Sequence, residues 1–165
     1  MGYNTCSVNP GETKLLAVSF EGVDTKPIPI KKLVSCENFA GSTAIKDTVD
    51  QIWTYTQAGG WAKYYYYKRS STTKWCPAGS TTEVGDDVTV GPGTSIFFVR
   101  ASGEAATTIT LAGGVVDLST VKTVDVAAGE TKLICNPWPL DIKINPTFQE
   151  KRENSGIAGV FSLFG

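Results

Sequence analysis

The side chains most able to perform chemistry in this chain are its cysteines and carboxylates, because its 165 residues include no histidine and its Ser residues occur in no G-x-S-x-G motif. Without an imidazole, Ser-His-Asp and Cys-His nucleophile systems are excluded, as are nearly all histidine-containing zinc and copper sites. The acidic loop at residues 83–87 lacks the spacing of a calcium-binding loop. No motif selects two of the remaining carboxylates as the acid and base of a hydrolase. We therefore expect a protein that is not an enzyme, with no catalytic residues, metal or cofactor.

The four cysteines are too far apart in sequence to form a zinc knuckle or a redox pair. They are Cys6, Cys36, Cys76 and Cys135. An even number in a chain rich in Thr and Gly indicates two disulfides and an extracytoplasmic location. Cys6 with Cys135 is the favoured pair of the three possible pairings, because both lie in repeated segments, and Cys36 would then pair with Cys76. The alternative is four buried thiols that act as small apolar side chains.

Aromatic residues are concentrated between residues 53 and 75. The sequence predicts a hairpin there, with arms at residues 50–56 and 61–68 around a turn at 57–60. Rings exposed on a strand could stack on the sugars of a glycan or contact another surface protein. The alternative is cross-strand packing that fixes the register of the hairpin. The candidate stacking residues are Trp53, Trp61, Tyr65 and Trp75.

The overall charge does not favour a nucleic acid or an anionic membrane as partner. The chain has 15 basic and 16 acidic residues, for a net charge of −1. Stacking of single-stranded bases needs a basic groove as well as aromatic rings. No segment reaches the ~20 apolar residues of a membrane-spanning helix. We expect neither a nucleic-acid partner nor a membrane span.

The C-terminal segment is a second candidate for function. Residues 149–155 form a charged tether, and residues 156–165 form an uncharged tail with five large apolar side chains. The candidate self-association residues are Ile157, Val160, Phe161, Leu163 and Phe164. The tail could return as the last strand of its own sheet, or it could add to the sheet of a neighbouring subunit. Strand addition between copies joins subunits head to tail and generates a fibre.

A repeated phrase indicates how these segments are organised. The sequence GETKLL at residues 11–16 recurs as GETKLI at residues 129–134, and each copy leads into a strand-like segment. Strand-like segments recur about every ten residues, which predicts an all-β fold. We expect an antiparallel β-sandwich of jelly-roll or immunoglobulin-like type with about ten strands, whose first and last hairpins are equivalent. The sandwich would cover residues 1–146, with the tether and tail at residues 147–165.

Two strands stand out by their apolar patterns. Residues 13–20 are mostly apolar on both faces, which predicts a central strand rather than an edge strand. Residues 96–99 form a continuous apolar run, which predicts a strand buried on both sides. Both strands should therefore lie in the middle of the sandwich.

Several phrases resemble a group of uncharacterised secreted or surface-associated bacterial β-rich proteins. They are the opening GYNT with LLAVSFEGV, the strand DQIW at residues 50–53, the strand TSIFFVR at residues 94–100, and the closing LICNPWP at residues 133–139. The resemblance covers most of residues 2–144. It implies a β architecture and an extracellular or cell-surface location, with no catalytic motif to carry over.

Together these observations predict a non-enzymatic extracytoplasmic structural subunit. It would self-assemble with copies of itself into a filament or surface layer by β-strand addition through a terminal segment. The alternative is a secreted β-sandwich module that binds a glycan or a protein through the aromatic hairpin.

Overall fold

The structure is a computed structural model that describes residues 1–43, 48–117, 119 and 125–138. Within these ranges the chain is almost entirely β, with a 3-10 turn at Val23–Thr25 and a one-turn helix α1 at Ile30–Leu33. The strands are β1 (Gly2–Val8), β2 (Thr13–Ala17), β3 (Phe20–Glu21), β4 (Ile28–Pro29), β5 (Val34–Ser35), β6 (Gln51–Thr56), β7 (Gly60–Arg69), β8 (Thr72–Pro77), β9 (Thr89–Val90), β10 (Ser95–Val99) and β11 (Thr107–Val115).

The larger sheet has five antiparallel strands in the order β2-β10-β6-β7-β8. Its register places Leu16 opposite Ile96, Phe98 opposite Ile52, and Ile52 opposite Tyr64. Because successive side chains of a strand point to opposite faces, these apolar residues share one face of the sheet. That face forms one wall of the core. The predicted aromatic hairpin is confirmed as β6 and β7, joined by residues 57–59.

The smaller sheet is built around β11. Strand β1 pairs with it antiparallel over seven residues, from Gly2 opposite Gly113 to Val8 opposite Thr107. The two-residue strands β3 and β5 pair with other parts of β11, and β4 with β9 forms a separate short ladder. The core lies where the two sheets meet, since apolar residues of both belong to one buried cluster. The predicted all-β antiparallel sandwich is confirmed.

A buried ion pair joins the loops at one end of this core. Asp50 and Arg100 have fully buried side chains, with Oδ2 of Asp50 and Nη1 of Arg100 2.6 Å apart. The carboxylate also accepts hydrogen bonds from the backbone N–H groups of Ala40 and Ala101. Burial raises the pKa of Asp50, and these donors oppose that shift. Arg100 donates to the carbonyl of Ala105 as well, so the pair is fully hydrogen-bonded and has a structural role.

The predicted disulfides do not form, and all four cysteines are free thiols. Cys36 packs against the main core, whereas Cys76 belongs to a separate cluster that includes Val49 and Tyr65. A disulfide needs two Cα atoms within about 7 Å of each other, and the intervening sheet keeps these two sites apart. Cys6 lies in β1 opposite Ile109.

Cys135 occupies a different site from Cys6. Its thiol donates to the carbonyl of Thr94 and its N–H donates to the carbonyl of Gly93. Burial raises the pKa of the Cys36, Cys76 and Cys135 thiols. The three thiols therefore stay protonated more readily than exposed ones and act as small apolar side chains.

The first copy of the repeated phrase forms a tight turn between β1 and β2. Gly11 has a positive φ of 71°, a conformation that glycine adopts without strain. The N–H of Glu12 donates to the carbonyl of Asn9 at 3.0 Å, and the Glu12 carboxylate accepts from the Asn9 N–H at 2.8 Å. Lys14 lies 3.3 Å from that carboxylate and donates to the carbonyl of Ser7.

The second copy forms the same turn with the same backbone hydrogen bonds and ion pair, but it lacks the bond that the Asn9 side-chain amide donates to Glu12, because Ala127 occupies that position. Gly129 has a φ of 75°. Glu130 donates its N–H to the carbonyl of Ala127 at 3.0 Å and accepts from the Ala127 N–H at 2.8 Å. Lys132 lies 3.1 Å from the carboxylate and donates to the carbonyl of Asp125. The phrase therefore forms a turn with two backbone hydrogen bonds and one ion pair at both of its positions.

The two copies differ after the turn. The first continues into β2, which pairs with β10 over five residues. The second forms one isolated bridge, between Ile134 and Thr94. Residues 118 and 120–124, which would supply the other arm of the last hairpin, lie outside the described residues. The equivalence of the two complete hairpins stays a prediction.

Candidate functional site

The outer face of the five-stranded sheet, opposite the core, carries an exposed cluster of rings that we call the aromatic patch. It consists of Trp53, Tyr55, Trp61 and Phe97 with the adjacent Leu15. The strand register explains how they meet, because Leu15 lies opposite Phe97, Phe97 opposite Trp53, and Tyr55 opposite Trp61. Four neighbouring strands therefore contribute to one patch of apolar side chains, in which Tyr55 and Trp61 lie beside the row of Leu15, Phe97 and Trp53.

Trp61 is the centre of the aromatic patch. Its ring centroid lies 5.2 Å from Tyr55, 5.5 Å from Phe97 and 6.4 Å from Trp53. The corresponding interplanar angles are 63°, 52° and 65°. Tyr55 and Trp53 therefore meet Trp61 edge to face, the arrangement that aromatic quadrupoles favour, and Phe97 is tilted against it. Trp61 is 48% exposed, as is Leu15. A Trp held by three neighbouring rings and open to solvent is a preorganised contact point.

Two polar groups border the aromatic patch. Lys63 lies opposite Trp53 in the ladder, and its Nζ is 3.9 Å from the Trp53 ring centroid. This distance places the ammonium over the ring in a cation–π contact. The indole N–H of Trp53 donates to Gln51 at 2.9 Å. These two contacts fix the Trp53 ring and leave a cation at the border of the aromatic patch.

The other half of the same outer face is covered. Tyr65, Tyr67 and Cys76 pack there with Val49 as a small second core. The Tyr65 hydroxyl donates to the carbonyl of Ser80 at 2.7 Å, and burial raises the pKa of Tyr65. At 2% exposure the Tyr65 ring has no surface to offer a ligand.

Trp75, another predicted stacking residue, lies in the main core and is 3% exposed. It packs edge to face against Phe39 and Tyr66. Trp75 therefore packs within the sheet and core, as in the alternative in which the aromatic residues fix the register of the hairpin. Of the four candidate stacking residues, the structure brings Trp53 and Trp61 together on the surface and buries Tyr65 and Trp75.

Four members of the site were not among the predicted site residues. Tyr55 shares a face with Trp53 by the alternation of the first hairpin arm, and it lies opposite Trp61. Phe97 belongs to the run that predicted a strand buried on both sides, but it is only partly buried. Leu15 belongs to the predicted central strand, yet β2 lies at the edge of its sheet. Lys63 has no signal in the sequence beyond its spacing of two residues from Trp61, which places both on one face of β7.

The sheet edges form a second candidate site. Strand β8 contains Lys74 and Pro77, and its Trp75 carbonyl accepts from the N–H of Val84. Strand β2 carries Lys14. Lysine, proline and loop coverage are common ways of protecting a sheet edge. Strand β1 differs, because its seven residues, GYNTCSV, include neither a charge nor a proline.

The candidate self-association residues lie outside the described residues, as does the whole segment 139–165. In the described part of the chain, no group of three or more His, Cys, Asp or Glu side chains could hold a metal ion. A search of the same residues finds no helix with the length and apolarity needed to cross a bilayer.

The structure is an all-β protein with two main antiparallel sheets. The aromatic patch lies on one outer face, and among the described residues strand β1 has no strand paired with its outer edge. Neither a family model, nor a curated protein, nor a solved structure matches the chain.

Proposed function

We propose that the protein is a non-enzymatic extracytoplasmic structural subunit that self-assembles into a filament or surface layer by β-strand addition. The observation that supports this proposal is the edge strand β1. It pairs with β11 on one side, and none of the described strands pairs with its other side. The carbonyl of Ser7, near its end, accepts from Lys14.

An unprotected edge strand favours pairing with another chain. Its outward N–H and C=O groups are a template for a new strand, and main-chain hydrogen bonds then supply the affinity. The other edges are either short, as in the two-residue strands β3 and β5, or carry Lys or Pro. The edge that accepts a partner in this proposal is therefore β1.

The C-terminal tail is the proposed donor. Its ten residues, 156–165, exceed the seven residues of β1, so it is long enough to pair along the whole strand. A tail that pairs with β1 of the next subunit makes a head-to-tail contact, and such contacts form an open fibre when the rotation between subunits does not close a ring.

The proposed extracellular or cell-surface location rests on the resemblance to secreted and surface-associated proteins. The free cysteines contribute nothing to it, because the disulfide argument for an oxidising compartment no longer applies.

Deletion of residues 156–165 tests the assembly. Light scattering and electron microscopy of the full chain at increasing concentration should show polymers, and the deletion variant should stay monomeric. A synthetic peptide of residues 156–165 should bind the deletion variant. Polymers of unchanged length after the deletion would contradict strand addition by the tail, and a full chain that stays monomeric at every concentration would contradict self-assembly.

A substitution on β1 tests the acceptor. Thr5 is an exposed residue in the middle of β1, and Thr5→Lys adds the kind of charge that protects other edges. The variant should assemble poorly and bind the peptide weakly. Thr72→Lys, at an exposed position of β8, is the matched control and should assemble as the full chain does. Equal assembly of the two variants would exclude β1 as the acceptor.

We propose ligand binding as a second function, supported by the half-exposed Trp61 within a ring cluster. Soluble monomeric proteins rarely expose a cluster of apolar side chains of this kind. Such patches commonly mark the sites at which a protein binds a ligand or another protein. A glycan array with the full chain and the Trp61→Ala variant tests this function. Binding that disappears in the variant supports it, and identical binding profiles would contradict it.

A further inference from the structure

We infer that the aromatic patch binds an acidic glycan, a polymer whose sugar rings carry carboxylate or sulfate groups. The inference rests on the proposed ligand-binding function and names the class of ligand. Three features of the outer face support it: the ring geometry, the sign of the charge, and the position of one lysine.

The ring geometry favours a sugar over a nucleic-acid base. The three rings around Trp61 are tilted from it by 52° to 65°, so none of them forms a parallel platform beside the most exposed ring of the aromatic patch. A single-stranded nucleic acid needs successive platforms on which its bases stack. A sugar needs only one exposed ring for its C–H groups, and Trp61, which is 48% exposed, is the most accessible ring of the aromatic patch.

The charge of the outer face favours an anion. Its outward positions on the five strands carry three cations and no Asp or Glu. Lys63 borders the aromatic patch, whereas Arg69 and Lys74 lie beside the covered half of the face. The whole chain, by contrast, has a net charge of −1. The basic residues of this face are therefore segregated from the acidic ones, and the face attracts a negatively charged ligand.

The position of Lys63 connects the two properties. Lys63 and Trp61 are two residues apart on one strand, which places their Cα atoms about 7 Å apart on the same face. Among the described residues, Lys63 forms no ion pair with a carboxylate. A sugar stacked on Trp61 can therefore direct an acidic substituent toward the Lys63 ammonium, which the Trp53 ring holds in place.

Binding to polygalacturonate tests the inference, with fully methyl-esterified polygalacturonate as the uncharged counterpart. Dextran sulfate and dextran form the second pair, which separates recognition of sulfate from recognition of carboxylate. Titration followed by tryptophan fluorescence gives the affinities at low and physiological salt. We expect at least one acidic polymer to bind about tenfold or more tightly than its neutral counterpart, a factor that corresponds to about 1.4 kcal/mol.

The variants locate the site. Trp61→Ala should weaken binding to the acidic polymer about tenfold, and Lys63→Gln should weaken it less and reduce its dependence on salt. Val23→Ala is one control, because it removes an 83% exposed apolar side chain that lies outside the aromatic patch. Lys68→Gln is the other, because it removes a cation of β7 whose side chain points to the opposite face of the sheet. Both controls should bind as the full chain does.

The outcomes separate the ligand class from the site. Equal binding of the acidic and neutral polymers, or no binding of either acidic polymer, would overturn the acidic-glycan inference. If a neutral polymer binds in that case and Trp61→Ala loses that binding, the ligand-binding function would still stand. Acidic-polymer binding unchanged in Trp61→Ala would overturn the site itself. Tighter binding of single-stranded oligothymidine than of either acidic polymer would assign the face to nucleic acid instead.

Discussion

The two copies of the repeated phrase form the same turn in two different structural settings. In both, a glycine with positive φ is followed by a glutamate that forms two hydrogen bonds with one upstream residue's backbone and an ion pair with a lysine. The first copy then enters a paired strand, and its Leu16 is 5% exposed opposite Ile96. The corresponding residue of the second copy, Ile134, is 39% exposed and belongs to a single bridge.

The difference shows that the phrase specifies the turn through local contacts, whereas the paired strand after the turn depends on the rest of the fold. The turn depends on contacts within seven residues, all of which the phrase and its immediate neighbours supply. Strand formation depends on an available partner, because β propensity reflects packing and burial more than backbone preference. Among the described residues, the first copy pairs with five residues of β10, whereas the second forms one bridge, with Thr94.

Truncation of the matched apolar residues should show the largest difference. Leu16→Ala removes a core side chain and should lower the free energy of unfolding by about 2–5 kcal/mol. Ile134→Ala removes a half-exposed side chain and should lower it by less than about 1 kcal/mol. Urea denaturation followed by fluorescence measures both. Equal losses would show that the second copy is integrated into the core as fully as the first.

Substitution of the matched glycines should have a smaller and equal effect. Gly11→Ala and Gly129→Ala both place a Cβ on a residue with positive φ, which should cost about 1 kcal/mol each. Neither site adds a clash, since a Cβ at Gly129 meets nothing within 4 Å and one at Gly11 meets Ser102 at 3.6 Å. Denaturation of each variant measures the loss. A clearly smaller loss at Gly129 would mean that the second turn contributes little to global stability.

The sequence predicted the fold class and the hairpin because both depend on local patterns. The turn residues and the alternation of β6 and β7 are sufficient to place Trp53 and Trp61 on one face. The edge position of β2 was not predictable from its apolar residues. One face packs in the core through Leu16, and the other joins the aromatic patch through Leu15. A strand with one buried face and one face in a partly exposed apolar patch therefore has the same sequence pattern as a strand buried on both faces.

The parts of the site that the sequence could not supply depend on distant contacts. Tyr65 and Trp53 lie on the same outer face, yet Tyr65 is buried because Val49 and the carbonyl of Ser80 cover it. Spacing within the hairpin carries no information about those contacts. The cysteine pairing failed for the same reason, since an even number of cysteines does not place Cys36 and Cys76 on one side of a sheet.

The matched glutamates should show the smallest effect and the closest agreement. The backbone N–H of Asn9 holds the pKa of Glu12 below its ordinary value near 4.5, with Lys14 contributing in the same direction. The backbone N–H of Ala127 and the adjacent Lys132 lower the pKa of Glu130 likewise. Because each folded-state pKa lies below the unfolded value, the stabilisation is present above about pH 4.5 and is lost as the pH falls through the folded-state value.

Carboxyl titration by NMR should therefore give two curves that both lie below the ordinary range. Glu12→Gln and Glu130→Gln should each remove one curve and reduce the loss of stability on acidification by a similar, small amount, since both side chains are on the surface and screened by solvent. If only Glu12 titrates at low pH, the second turn does not hold its carboxylate in solution. The phrase would then need the paired strand β2 in order to form the turn, and the separation between local and tertiary contributions would fail.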